Sequence, residues 1–276
     1  MTFLLAQITD THIVGSNHDG ELYVDNNNRL AMAVERLMAE TILPDAVLLT
    51  GDLTDLGTDE EMALLVDLLE PLTMPTMALP GNHDRRPTFR QWFDMPWPAP
   101  EEGHLSWVVP LPGLVLVGLD TLVDNQVAGS NDVDHSGRFD AARERWLHQT
   151  LAEAAGTPTA IAMHHPPFDS GIWWMDRSGL ANQDRFAEVV ARHDHVGRIF
   201  CGHLHRPITT VVGGAVATTG ISTVHHVELD FRADSPIQVV CDPPGYQLHH
   251  FDGAVWTSHT RYFGVNDGPI TPNWAG

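Results

Sequence analysis

Short apolar runs without polar alternation recur along the chain and predict buried strands. The runs cover residues 3–9, 46–50, 76–79, 160–163 and 198–201. A strand covered by helices or a second sheet shows this pattern, because neither of its faces meets water. Each run is followed directly by a cluster of polar residues.

Apolar stripes at helical spacing lie between the first runs and predict helices packed on a sheet. Residues 26–28 offer an N-cap for the first helix, and Thr58 with Glu61 three residues later predicts a capping box for the second. Strand, loop and helix units in succession predict parallel strands with right-handed crossovers, and hence an α/β fold. The stripes are Leu30, Val34, Leu37 and Met38, then Met62, Leu65, Val66 and Leu69.

The pattern changes after the third unit. Residues 105–119 form two β-rich runs with no helix between them, and helices are predicted around 139–155 and 183–192. Residues 168–182 form a loop-like stretch rich in aromatic side chains, which we expect to overhang a site. Beyond residue 207, short β-rich runs separated by Gly, Pro and Asp predict an antiparallel tail.

These patterns predict one main body with an appendage. We assign residues 1–210 to a catalytic core. We assign residues 211–276 to a β-rich segment that completes a second sheet and contributes a cap or an oligomerisation subdomain. The 276 residues, 43% of them hydrophobic, are sufficient for such a core.

Charge narrows the set of partners. The formal net charge is −21, from 15 Lys and Arg against 36 Asp and Glu, which argues against a nucleic acid polymer or an anionic membrane as partner. The chain shows no secretory leader and no apolar run long enough to span a bilayer, so we expect a cytoplasmic protein. Its two cysteines, Cys201 and Cys241, fit a reducing compartment and are expected to be buried apolar residues rather than catalysts.

The polar clusters at the strand ends predict a single site. Ligand sites in open α/β sheets collect where strands end and loops begin. Carboxylate, imidazole and amide oxygen are ligands for zinc, iron and manganese. Seven candidates exceed what one ion needs and suit two ions with a shared carboxylate. They are Asp10, His12, Asp52, Asn82, His164, His203 and His205.

In two of the motifs, the candidate ligands are two positions apart in the sequence. Asp10 and His12, like His203 and His205, are two residues apart, so their side chains share one face if the backbone there is extended.

The motifs D-x-H, G-D, G-N-H-D, H and G-H-x-H, in this order, resemble those of the calcineurin-like metallophosphoesterase family. All five are present over roughly residues 1–210. The resemblance implies a four-layer αββα sandwich of two mixed sheets flanked by helices, with a small β-rich C-terminal extension. It also implies a cofactor of two divalent or Fe-type metal ions, namely Mn, Fe, Zn or Co.

The resemblance also implies residue roles. Asp10, His12, Asp52 and His205 correspond to the ligands of one ion, and Asp52, Asn82, His164 and His203 to those of the other. His83 corresponds to a catalytic histidine beside the leaving group, and Asp84 to its partner. The resemblance further implies in-line attack on phosphorus by a metal-bound hydroxide.

Within the family, four stretches resemble those of bacterial class III cyclic nucleotide phosphodiesterases and glycerophosphodiesterases: residues 1–13, 22–28, 164–168 with Met175 and Asp176 after them, and 199–206. This implies a small phosphodiester substrate and a homodimer or higher homo-oligomer. His225, in a tail segment where relatives direct a histidine at the substrate, and Trp173 are candidate substrate contacts. His165 is expected to support the site or to pack, and the remaining histidines, including His135, to have surface or core roles.

Three alternatives stay open. A phosphomonoesterase would use the same metals but should offer more cationic side chains, and residues 168–182 contain only Arg177. A nuclease would need a basic path for the nucleic acid backbone, which the composition opposes. A non-catalytic scaffold of this fold would be expected to have lost metal ligands, and the sequence retains all seven.

Overall fold

Two mixed sheets form the centre of the computed structural model, which describes residues 2–16, 24–97, 103–123 and 135–264. The first sheet has the strand order β15-β14-β1-β2-β3, in which β1, β2 and β3 are parallel and β14 and β15 antiparallel. Its strands are β1 (Phe3–Ile8), β2 (Ala46–Thr50), β3 (Thr76–Leu79), β14 (Gly245–Phe251) and β15 (Trp256–Tyr262).

The second sheet has the order β10-β11-β9-β7-β5-β4, with parallel strands from β11 to β5 and an antiparallel strand at each edge. Its strands are β4 (Trp107–Leu111), β5 (Leu114–Leu119), β7 (Thr159–Met163), β9 (Val196–Cys201), β10 (Thr209–Val212) and β11 (Ala215–Thr219). Two short pairs lie outside the sheets: β6 (Gly137–Arg138) with β8 (Leu180–Ala181), and β12 (His226–Val227) with β13 (Val239–Val240).

Three apolar layers hold the molecule together. One lies between the first sheet and its helices, another between the second sheet and its helices, and the third between the sheets, where Leu48 of β2 and Phe200 of β9 are fully buried. The predicted αββα sandwich of two mixed sheets is therefore confirmed. The helices are α1 (Asn26–Met38), α2 (Asp59–Leu69), α3 (Arg86–Trp92), α4 (Ala141–Glu153), α5 (Trp173–Asp176) and α6 (Gln183–Val190).

The helix starts agree with the sequence in one case and differ in the other. Thr58 and Glu61 form the predicted capping box at the start of α2. The N-cap of α1 is Asp25, whose side chain accepts a hydrogen bond from the Asn28 amide, whereas residues 26–28 were predicted to supply it. The asparagines instead begin the helix, and Asn26 donates to the carbonyl oxygen of His12.

The C-terminal segment contributes to both sheets. β10 and β11 extend the second sheet, whereas β14 pairs antiparallel with β1 and β15 follows it, so this hairpin completes the first sheet. Residues 223–231, read from sequence as β-rich, contain only the two-residue strand β12. The boundary near residue 210 stays a prediction. His18 and residues 124–134 fall outside the described residues.

Candidate active site

All seven candidate ligands lie near the carboxyl ends of the parallel strands and are buried together. β1 leads to Asp10 and His12, and β2 leads to Asp52. β3, β7 and β9 contribute the rest. Two sheets packed face to face bring these ends to one edge of the sandwich, as the strand pattern predicted.

One group of side chains surrounds Asp10. Oδ1 of Asp10 lies 3.6 Å from Nε2 of His205, and Nε2 of His205 lies 3.2 Å from Nε2 of His12. Nε2 of His12 is in turn 3.8 Å from Oδ2 of Asp52. Ligand atoms of Asp10, His12 and His205 all lie within 4.8 Å of one another, a spacing that can hold one ion.

A second group shares Asp52 with the first. Oδ2 of Asp52 lies 3.3 Å from Nε2 of His164, which is 3.1 Å from Oδ1 of Asn82. The same amide oxygen is 3.0 Å from Nδ1 of His203. The carboxylate of Asp52 thus stands between two sets of nitrogen and oxygen atoms.

The backbone at these positions is not extended, so the condition under which the two-residue spacing would place both side chains on one strand face is not met. Asp10, His12, Asp52, His203 and His205 have φ angles of 51°, 41°, 49°, 72° and 56°. This left-handed conformation costs a residue with a side chain on the order of 1–3 kcal/mol and is concentrated at functional sites. The sharp turn at each residue, rather than a strand face, directs the side chains inwards.

Two glycines allow the close approach of these turns. A Cβ atom at Gly81 would lie 2.3 Å from Oδ1 of Asp52, and one at Gly51, whose φ is +90°, would lie 2.6 Å from Nδ1 of His164. Any larger residue would therefore displace a candidate ligand.

Hydrogen bonds to the far ring nitrogens orient three of the imidazoles. Nδ1 of His164 donates to the carbonyl of Thr50 (2.8 Å) and Nδ1 of His205 to that of His225 (2.9 Å). Nδ1 of His12 pairs with Oδ1 of Asp55 (3.2 Å). Each contact turns Nε2 towards the centre, which is the arrangement found around metal-binding histidines.

Burial and mutual charge shift the pKa values in opposite directions. Burial raises the pKa of Asp10 to about 6. Burial lowers the pKa of His12 and His164, but hydrogen bonds to carboxylates and the charge of Asp52 outweigh it and raise both to about 9. Burial, with the charge of His164, lowers the pKa of His203 to about 3.

The donor set therefore fits metal ions. The buried carboxylates attract positive charge, which divalent ions supply more compactly than protonated imidazoles. Nε2 of His203 is buried and has no hydrogen-bond partner among the residues that the structure describes. Mixed imidazole, carboxylate and amide donors suit borderline divalent metals.

The partner of His83 differs from the prediction. Asp84 is buried, and its carboxylate accepts hydrogen bonds from the amides of Leu53, Thr54 and Gly81, so it braces the loop after β2 against the loop after β3. Nδ1 of His83 instead donates to the carbonyl oxygen of Asp55 (2.8 Å). The same nitrogen lies 3.7 Å from Oδ1 of the Asp55 carboxylate. Sequence reasoning missed Asp55, although it stands three residues after Asp52.

A cavity of about 720 Å³ opens over the two groups. His83, His225 and Trp173 line it, so the structure brings these three sequence candidates together. The indole Nε1 of Trp173 donates to the carbonyl of Ser235 at 2.9 Å, which joins the residue 168–182 stretch to the tail. Further lining residues are Asp55, Ser136, Trp174, Met175, Arg177, Ser178, Val227, Ile237 and Val239.

His135 also lines the cavity, against the prediction of a surface or core role. Its Nδ1 accepts a hydrogen bond from the Asn82 amide nitrogen (2.9 Å), and its ring stacks on that of His83 at 5.2 Å. His135 belongs to no local motif, so only the folded chain reveals this contact.

The sequence model of the calcineurin-like phosphoesterase family matches residues 3–207. The chain belongs to this family of metal-dependent phosphoesterases. The prediction that the chain is a metal-dependent phosphoesterase is thereby confirmed.

Relatives match over most of the chain. A probable glycerophosphodiester phosphodiesterase of Arcobacter nitrofigilis is 31% identical and covers 96% of this chain and 95% of its own. A probable cyclic nucleotide phosphodiesterase of Rhodopseudomonas palustris is 37% identical, covering 95% and 93%. A 3',5'-cyclic adenosine monophosphate phosphodiesterase of Haemophilus influenzae is 29% identical, covering 93% and 89%.

Solved structures share the fold. A dimetal phosphatase from Danio rerio superposes with a TM-score of 0.64 at 16% identity, covering 94% of this chain and 98% of its own. A purple acid phosphatase from yellow lupin gives a TM-score of 0.66 at 14% identity, covering 95% of this chain and 52% of its own.

In the described part of the chain, no helix is long and apolar enough to cross a bilayer.

Proposed function

We propose that the chain hydrolyses small phosphodiesters with two metal ions held by the seven candidate ligands. The observation that carries the proposal is the position of Asp52, whose carboxylate oxygen lies within 4 Å of His12 in one group and of His164 in the other. Asp10, His12 and His205 would hold one ion, Asn82, His164 and His203 the other, and Asp52 would bridge them. Bound divalent ions activate water for attack on phosphorus and offset the charge that develops on the phosphoryl oxygens.

His83 is the proposed proton donor to the leaving alkoxide. Its Nδ1 is held by the carbonyl of Asp55, which leaves Nε2 as the atom available to a substrate. The ring lines the cavity beside the two groups. A positioned acid of this kind contributes about 100-fold to 10,000-fold to a rate.

The cavity wall favours an organic diester over a compact monoester. Trp173, Trp174, Val227 and Ile237 give the wall an apolar side that suits a nucleoside or another organic group. Arg177 is the cationic side chain among the described lining residues, which is few charges for the dianion of a monoester. Relatives named for cyclic nucleotides and for glycerophosphodiesters support the same substrate class.

Metal loading and substrate preference test the proposal. Metal-free protein, reloaded with Mn²⁺, is expected to bind two ions per chain and to hydrolyse bis(p-nitrophenyl) phosphate with a kcat/KM at least about tenfold above that for p-nitrophenyl phosphate. Cyclic AMP and a glycerophosphodiester then separate the two substrate types.

Variants and alternative outcomes sharpen the test. Asp52→Asn should weaken the binding of both ions. Asp67→Asn, at an exposed residue of α2, should leave the binding of both ions unchanged. Two bound ions with a preference for the monoester would mean a phosphomonoesterase. Protein that binds no ions and turns over neither substrate would mean a scaffold. The metal's identity, the homo-oligomer and the cytoplasmic location stay predictions.

A further inference from the structure

His165 is buried beside the site, yet both of its ring nitrogens already have protein partners. Nε2 lies 3.0 Å from the carbonyl oxygen of His135, and Nδ1 lies 2.8 Å from the hydroxyl of Thr121. A carbonyl can only accept, so Nε2 carries the proton and Nδ1 accepts from the hydroxyl. His165 therefore has no lone pair to offer an ion, although its nitrogens lie close to those of His164 and His203.

The two partners of His165 flank residues 124–134. On one side, Thr121 follows Asp120, whose carboxylate is held by the guanidinium of Arg86, while Arg143 donates to the Asp120 carbonyl. On the other side, the β6 strand pairs with β8, and the amide of Arg138 donates to the carbonyl of Thr121. The imidazole of His165 ties these two fixed points together.

Packing holds the ring in place. A Cβ atom at Gly137 would lie 2.3 Å from Cγ of His165, so the β6 backbone lies directly against the imidazole. His165 is fully buried. The imidazole of His165 is therefore held in one orientation, in which Nε2 meets the carbonyl oxygen of His135.

The side chain of His135 in turn orients the amide of Asn82, a candidate ligand. Because Nδ1 of His135 accepts from the amide nitrogen of Asn82, the amide oxygen must face the other way. That oxygen is the atom 3.1 Å from His164 and 3.0 Å from His203. A rotated Asn82 amide would present two N–H groups to an ion instead of an oxygen.

We propose that His165 is a positioning residue that acts through His135 to fix the Asn82 amide oxygen towards the second metal ion. The inference rests on the proposed dinuclear function and adds the hydrogen-bond series Thr121, His165, His135, Asn82. Groups that orient a metal ligand in this way typically change metal affinity by about 10-fold to 100-fold when they are removed.

A matched pair of variants tests the role. His165→Gln keeps an amide N–H at the reach of Nε2 and preserves the bond to the His135 carbonyl, whereas His165→Asn keeps only a group at the reach of Nδ1. Mn²⁺ titration of the metal-free full chain, with free Mn²⁺ followed by electron paramagnetic resonance, gives the two dissociation constants. Asn82→Ala identifies which of the two constants reports the ion near Asn82. We expect that constant to rise about tenfold in His165→Asn and to stay within about threefold of wild type in His165→Gln.

A double-mutant cycle separates positioning from packing. His135→Ala should raise the same constant, and adding His165→Asn to it should change the constant by less than about twofold, because the path is already broken. Thr121→Val, nearly isosteric, should shift the constant in the same direction without adding to His165→Asn. Urea midpoints and circular dichroism verify that each variant is folded.

The outcomes are distinct from those of the proposed function. Equal losses in the glutamine and asparagine variants, effects that multiply with His135→Ala, or equal weakening of both ions would overturn the positioning role. A wild-type chain that binds two Mn²⁺ ions but hydrolyses no diester would refute the proposed function and leave this binding measurement valid.

Discussion

Asp55 is the residue that links the two halves of the proposed chemistry. Its carboxylate pairs with Nδ1 of His12, and its carbonyl accepts from Nδ1 of His83. One residue thus sets the ring orientation of a candidate metal ligand and of the proposed acid. Both contacts require the loop between Asp52 and Asp55 to keep its conformation. The buried carboxylate of Asp84 stabilises this loop by accepting hydrogen bonds from two of its amides.

Replacing His83 tests the acid role at the residue scale. His83→Ala should leave metal content unchanged, because no candidate ligand is removed, but lower kcat about 100-fold for diesters with poor leaving groups and much less for nitrophenolate esters. The measurement is kcat across a series of aryl and alkyl diesters of increasing leaving-group pKa.

His148→Ala serves as the control, since His148 is an exposed histidine of α4 that contacts His193 away from the cavity. An equal loss for good and poor leaving groups would assign His83 to substrate positioning and remove it as the acid.

At the scale of elements, the loops of the site depend on helices whose starts are locally encoded. Thr58 accepts from the amide of Glu61 at 3.2 Å, and Glu61 accepts from the amides of Thr58 and Leu56 at 3.0 Å each. The cap therefore also fixes the end of the loop that carries Asp52 and Asp55. The buried stripe of α2, including Met62 and Leu65, then covers the first sheet.

Thr58→Ala should lower the free energy of unfolding by about 1 kcal/mol, the usual cost of losing an N-cap side chain. Urea denaturation of the metal-loaded protein measures this change. Thr41→Ala, at an exposed position outside the helices, is the matched control and should leave the midpoint unchanged.

Because Asp52 and Asp55 are held by other contacts as well, kcat for the diester should change less than about twofold in Thr58→Ala. A large loss of kcat with unchanged stability would show that the cap acts on the site rather than on the helix.

For the whole molecule, closure of the first sheet depends on contacts between distant parts of the chain. Glu40, just after α1, accepts hydrogen bonds from Nε and Nη2 of Arg261 at 2.6 Å each and from the hydroxyl of Tyr246 at 2.6 Å. These residues belong to β15 and β14, so the contacts join the hairpin to the first helix. The Glu40 side chain is 8% exposed and that of Arg261 42%, so water screens the pair in part.

The hydrogen bonds from Arg261, followed by that from Tyr246, lower the pKa of Glu40 below its usual 4.5 against the effect of burial. A carboxyl with a lowered pKa stabilises the fold above its unfolded pKa and loses that contribution as pH falls through the folded value. Glu40→Gln should therefore reduce the free energy of unfolding by about 1 kcal/mol at pH 7.

The difference from wild type should shrink as pH falls below about 4.5. Urea denaturation at pH 7 and pH 4 measures it, with Glu35→Gln, an exposed residue of α1, as control. A difference that is constant between the two pH values would contradict an ionic contribution from Glu40.

The sequence by itself determined the local elements, the family and the seven candidate ligands. The strand Ala46–Thr50 and the capping box at Thr58 are where the pattern predicted them, because apolar runs and helix caps depend on neighbours a few residues away. Motif order was equally informative, since each cluster follows its own strand.

Only the tertiary structure decided the contacts between distant segments. His135 meets Asn82 across 53 positions, and the β14 hairpin returns to β1 from more than two hundred residues away. The backbone at Asp10 and His203 is left-handed, which the spacing of the motifs did not reveal. Such features depend on packing and long-range hydrogen bonds, which no local pattern of hydrophobic and polar residues encodes.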